Sequence, residues 1–245
     1  MFTLKQKILA AAFKFMQAKL ALVGMEHTVC EELPRLTTIA EATAQAPESL
    51  LCDDSYDKEM ILKNHKLACW KGESERLSWM LYTLSELEGG LKKHIHEGKC
   101  KLDECDPVFK MLPTGEKIFV RHRARTLWQL HKTNFLTKQD WSDIVGTSLE
   151  STLLAAQIAG KEISWFKEIC GTEKGALSIY ATGKTCKWSE APGRVNKIDS
   201  NMKNYSDDEN IISIYKEIGS CFEDYDLNGE FYFSKMEKMN EIKLL

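Results

Sequence analysis

Two clusters in this chain have the donor types of a metal site. His94, His96, Cys100 and Cys105 fall within twelve residues, and imidazole with thiolate is a donor set that suits zinc. His94 and His96 are two positions apart, so on a helix they diverge by about 200° and share an ion only if the helix unwinds. Farther on, Asp224, Asp226 and Asn228 precede Gly229 and Glu230, as oxygen donors one, three and five precede the glycine of an EF-hand calcium loop. Lys235 occupies the twelfth position, where that loop needs its bidentate glutamate. Asp224, Asp226 and Asn228 are therefore candidate calcium ligands in a segment that otherwise reads as a turn. Neither cluster completes a site, and no cofactor is expected.

Catalytic chemistry has less to stand on. Gly183-Lys184-Thr185 follows a strand-like stretch, residues 176–180, like the end of a phosphate-binding loop, but Ser178 stands where that loop requires its first glycine. No Gly-x-Ser-x-Gly, His-Glu-x-x-His or Gly-x-Gly-x-x-Gly occurs. No residue is assigned a catalytic role, and a non-enzymatic protein is expected.

A third pattern concerns polyanions. Leu136 to Gln157 reads helix, tight turn, helix. Thr137 caps the first helix, Trp141, Ile144 and Val145 form its apolar side, Gly146 stops it, and Thr147 or Ser148 caps the second. Over residues 121–157 the chain resembles the helix-turn-helix of winged-helix regulators of the cyclic-AMP-receptor type, including a lead-in helix at 121–133. Leu153 and Leu154 stand where that family carries a polar residue and an arginine. The resemblance implies binding to duplex DNA. It places Ser148, Glu150, Ser151 and Thr152 toward base edges and Arg121, Arg123, Arg125, Lys132 and Lys138 toward phosphates.

Charge is distributed in keeping with that reading. The chain carries 33 basic and 36 acidic side chains overall, which excludes a histone-like polycation. Residues 110–138 nevertheless hold seven basic side chains against Glu116 alone, whereas residues 206–245 hold ten acids and four lysines. A basic face directed at a polyanion explains the asymmetry; so does a dimer that pairs one end with the other.

Positioning these residues is the task of a mainly helical chain. Hydrophobic residues make up 43% and only five prolines occur, as in a globular protein rather than a disordered one. Helices are expected at 3–24, 34–46, 56–70, 73–97 (broken or bent at Gly89-Gly90), 121–133, 137–145, 148–159, 161–170 and 211–222. Short strands are expected at 117–120 and 176–180, and loop at 98–114 and 182–204. The fold class is mainly α with minor β, a multi-helix globular protein with a helix-turn-helix-like unit. Three regions follow: helical 1–100, basic 101–205 and an acidic helical tail, 206–245.

Leu9, Phe13, Met16, Leu20 and Val23 make one stripe on the first helix, suited to a core or to a protein partner such as a second copy. Lysines interrupt the apolar patch there, so no secretory signal is expected, and no run is long enough to span a bilayer. Eight scattered cysteines without a Cys-x-x-Cys pair suggest free thiols in a reducing, intracellular compartment. Two functional readings stay open: a nucleic-acid-binding protein, DNA foremost, or a helical protein-protein interaction or structural protein with no nucleic-acid role.

Overall fold

The computed structural model describes residues 1–50, 73–131 and 139–223. The helix expected at 56–70 and the candidates Lys132, Lys138, Asp224, Asp226 and Asn228 lie outside the described residues. Within them the fold is mainly helical with four short strands. The described residues divide into two compact units, one drawn from residues 1–37 and 203–223 and the other from between 38 and 202.

In the first unit, α1 (Leu4–Ala21) starts at a reciprocal cap: Thr3 accepts from the Gln6 N–H, and the Gln6 side chain accepts from the Thr3 N–H. Ile8 to Phe13 and Met16 are buried, but the helix ends at Ala21, so Val23 drops off the expected stripe and is exposed. α2 (Val29–Gln45) follows in the chain, and α9 (Asp208–Glu223) packs on α1. It buries Ile211, Ile214, Ile218 and Cys221 at spacings of three, four and three, one helical face. Lys14 bonds Glu217 at 3.0 Å, Phe2 stacks on Tyr215 at 5.5 Å, and Cys30 is disulfide-bonded to Cys221. Most of the α1 stripe is thus consumed inside this unit.

The second unit is built around α3 (Ser74–Gly89), whose Leu77, Trp79, Met80, Leu81, Tyr82 and Leu84 are fully buried. Left-handed Gly90 ends it, and α4 (Lys93–His96) follows, so the expected helix 73–97 is two pieces. α6 (Leu149–Cys170) runs unbroken through Gly160, where two helices were expected, and packs on α7 (Glu173–Thr182). Residues 176–180 are therefore helix, not strand: Thr172 caps the segment by accepting from the Gly175 N–H. Residues expected as loop form α8 (Ala191–Asn204), which buries Ala191, Ile198 and Asn201. A disulfide joins Cys170 to Cys186.

Several polar groups of α3 and α8 bond one another. The Tyr82 hydroxyl donates to Glu86; Asn201 donates to Thr83 at 3.0 Å and to Glu86 at 3.4 Å, and Lys197 lies 3.5 Å from Glu86. Burial pushes the Glu86 carboxyl above its ordinary value, partly countered by Tyr82, Lys197 and Asn201. Arg76 reaches Glu173 at 2.6 Å and Asp199 at 2.8 Å, and Arg194 bonds Glu88 while lying over the Trp188 ring.

The largest departure from expectation is at residues 121–133. The described part is not a basic helix but the end of one strand followed by a two-stranded turn, β3 (Ala124–Arg125) and β4 (Leu130–His131). Leu127 and Trp128 at its corner are completely buried, and the Trp128 Nε1–H donates to the Leu81 carbonyl at 2.8 Å. Gly89 permits this insertion, since a Cβ there would come within 2.7 Å of the Leu127 backbone. Burying two adjacent large side chains in α3 demands a corner, and that outweighs the helical preference of the local sequence.

Candidate interaction surface

The feature that stands apart from this packing is a hairpin. β1 (Pro107–Met111) pairs antiparallel with β2 (Lys117–His122). Leu112 to Glu116 turn the corner through left-handed Gly115; the Leu112 N–H donates to the Glu116 carbonyl at 2.8 Å, and the Gly115 N–H to the Leu112 carbonyl at 2.9 Å. The register shifts between Val108 and Phe109, so Val120 is an extra residue on β2. One face carries Phe109 and Phe119, edge to face at 6.0 Å, with the Lys117 ammonium 4.3 Å from the Phe109 ring centre and His122 4.8 Å from Phe119. Lys110 pairs with Ile118, and Val108 with Arg121.

Solvent reaches an unusual share of this apolar surface. Met111 is 63% exposed, Val120 51%, Phe119 39% and Ile118 36%. From Lys117 to Arg121 every residue of β2 is exposed, so neither face of that strand is packed into a core. An isolated two-stranded ribbon is marginal in water, and this one is held at its foot. Cys100 is disulfide-bonded to Cys105. The carbonyls of Cys105 and Asp106 accept from the N–H groups of Ala124 and Arg123, both at 3.0 Å, and the Asp106 carboxylate grips Arg123 at 2.9 Å. Glu104 takes Lys92 at 2.8 Å, His94 at 2.7 Å and the Lys101 N–H at 3.0 Å. Burial pushes the Glu104 carboxyl up, but Lys92, the Lys101 N–H and His94 outweigh it and bring it down to about 2.

The described residues singled out for nucleic acid differ in what surrounds them. Arg121 is exposed on the hairpin, whereas Arg123 is engaged with Asp106. Arg125 donates to the Trp141 carbonyl at 2.8 Å and lies 4.7 Å from the centre of that indole, fastening residues 139–148 to the strands. The first helix of the expected pair is the single turn α5 (Asp140–Asp143). Gly146 donates to the His96 carbonyl at 3.2 Å, and Val145 packs so closely on Gly98 that a Cβ there would meet it at 2.2 Å. Ser148 caps α6 by accepting from the Ser151 N–H; Ser148 and Glu150 are exposed and Ser151 half-buried. Thr152 is buried, its hydroxyl donating to the Ser148 carbonyl at 2.6 Å and lying 2.8 Å from His96 Nε2.

The chain matches no protein-family model, no curated protein and no solved structure.

Three disulfides among the described residues overturn the expected reducing, intracellular compartment: they point to an oxidising environment. Spacing misled because each bond joins cysteines that the fold brings together, the farthest 191 positions apart. The sulfurs of the zinc-like cluster are bonded to one another and His94 to Glu104; among the described residues no three His, Cys, Asp or Glu side chains gather to hold a metal ion. No described helix is long and apolar enough to cross a membrane. The hairpin itself was only half legible, as one short strand and a connector. A sharper signal is present: Val-Phe-Lys-Met and Lys-Ile-Phe-Val-Arg flank a turn containing Pro113 and Gly115.

Proposed function

We propose that this protein is a binding protein of an oxidising compartment, in which a disulfide-braced helical body presents the β1–β2 hairpin to a protein partner. The exposure of the hairpin carries this reading. Apolar side chains are left in water along β2 and flanked by Lys110, Lys117 and Arg121, although the same unit buries Trp79, Trp128 and Tyr82 completely. Contiguous exposed apolar surface rimmed by charge is characteristic of interaction sites. Of the two readings drawn from the sequence, the interaction reading has more support. A nucleic-acid interface on 121–157 draws on Arg125 and Thr152, which are engaged inside the fold, and on Arg123, which is exposed but paired with Asp106.

Fluorescence anisotropy on the full chain separates the readings, using a random glutamate–tyrosine copolymer and a random-sequence DNA duplex near physiological salt. The copolymer is expected to bind, and Phe119→Ser is expected to weaken it as clearly as Lys117→Ala with Arg121→Ala. Preferential binding of the duplex, insensitive to Phe119→Ser, would return the nucleic-acid interface to first place.

A further inference from the structure

The outer edge of β2 defines how a partner engages. The bond from the Leu112 N–H to the Glu116 carbonyl sets the phase of the ladder. Alternation along an antiparallel pair then turns the N–H and carbonyl of Lys117 and of Phe119 away from β1. No other described strand pairs with this edge, because the β1–β2 sheet has two strands only. An open edge with exposed side chains on both faces is a template for another strand. Here it is guarded against its own kind: Lys117 and Arg121 would repel a second hairpin, and the extra residue at Val120 kinks the edge.

Resting on the binding role proposed above, we infer that the partner segment is an extended acidic peptide that adds as a third strand along Lys117–Phe119. Charge complementarity decides the occupant. Lys110, Lys117 and Arg121 stand against Glu116 alone on the ribbon, so alternating acids and apolar residues on the incoming strand meet cations and exposed apolar side chains together. A second copy of this chain brings the same positive charge to the same edge. A bilayer is disfavoured because the protruding turn, Pro113-Thr114-Gly115-Glu116, is polar and its exposed apolar residues lie along the strands instead. Main-chain bonds would supply affinity and the alternating side chains selectivity, as in other strand-addition complexes.

The test uses the full chain and an acetylated, amidated octapeptide alternating glutamate and valine. Two controls accompany it: the fully N-methylated counterpart, which keeps the side chains but has no N–H, and the same alternation with lysine for glutamate. The unmodified acidic peptide is expected to bind about tenfold or more tighter than either control, since losing the strand bonds removes at least that much. Amide exchange at Lys117 and Phe119 should slow on binding. Equal affinity for the N-methylated peptide, with both amides unprotected, overturns strand addition while leaving a side-chain docking surface, and with it the binding role, intact. Failure of all three peptides while the glutamate–tyrosine copolymer binds likewise overturns the strand and spares the role. Failure of peptides and copolymer alike, or preference for the lysine peptide or for anionic vesicles, overturns both.

Discussion

The α3–α8 seam and the β1–β2 hairpin belong to the same unit and treat their side chains in opposite ways. In the seam, a carboxyl group is taken out of water and answered by Tyr82, Asn201 and Lys197. In the hairpin, aromatic and aliphatic groups stay in water, and a strand edge is left without a neighbour among the described strands. The seam is finished chemistry, and its charges specify how helices pack. The hairpin is unfinished: its apolar groups stay in water while the same unit buries Trp79, Trp128 and Tyr82. That contrast is the support for the binding role proposed for the hairpin.

Truncation in the interior that α3 shares with the β3–β4 corner should contrast with the hairpin most sharply. Trp128→Ala removes a fully buried indole and its bond to Leu81, and is expected to cost about 3–5 kcal/mol in urea unfolding. A loss near zero would show that the β3–β4 corner does not anchor to α3.

The next contrast is in pH dependence, where the two carboxyl groups move in opposite directions. Glu86 is raised, so its folded form holds a proton that the unfolded chain has released. Its effect on stability therefore falls as pH rises from the ordinary carboxyl value through its folded value. Glu104 is lowered to about 2, so its contribution is full above the ordinary value of 4.5 and is lost as pH falls from there toward about 2. Unfolding measured across pH should thus show Glu86→Gln removing a penalty that grows as pH rises above the ordinary carboxyl value and Glu104→Gln removing a loss that appears as pH falls below it. If both substitutions changed the profile in the same direction, the contrast would fail.

The smallest expected effect is Phe119→Ala. With its side chain partly in water, it should shift stability by no more than about 1 kcal/mol while weakening the copolymer. A large stability loss would mean that the ribbon is core rather than docking surface.

Periodicity made the long helices legible because burial on one face leaves a repeat in the chain, and α1, α3, α6 and α9 lie close to where that repeat put them. It failed where distant partners overrode local preference. Residues 121–133 carry helix-forming Arg, Ala and Leu, yet Trp128 had to enter α3. Residues 176–180 favour strand, yet the Thr172 cap and the packing of Ala176 and Leu177 made them helical.

By itself the sequence determined a mainly helical, mixed-charge chain with a basic stretch near its middle, because composition and hydrophobic repeat are local properties. Only the tertiary structure decided which charges are consumed. Arg123, Arg125 and Thr152 resemble Arg121 and Ser148 on paper, but they differ once Asp106, Trp141 and His96 are brought beside them. Only folding, likewise, pairs Cys30 with Cys221 and so reverses the compartment. The Cys30–Cys221 bond and the Trp128–Leu81 hydrogen bond are relations between residues remote in the chain, and spacing along one sequence does not contain them.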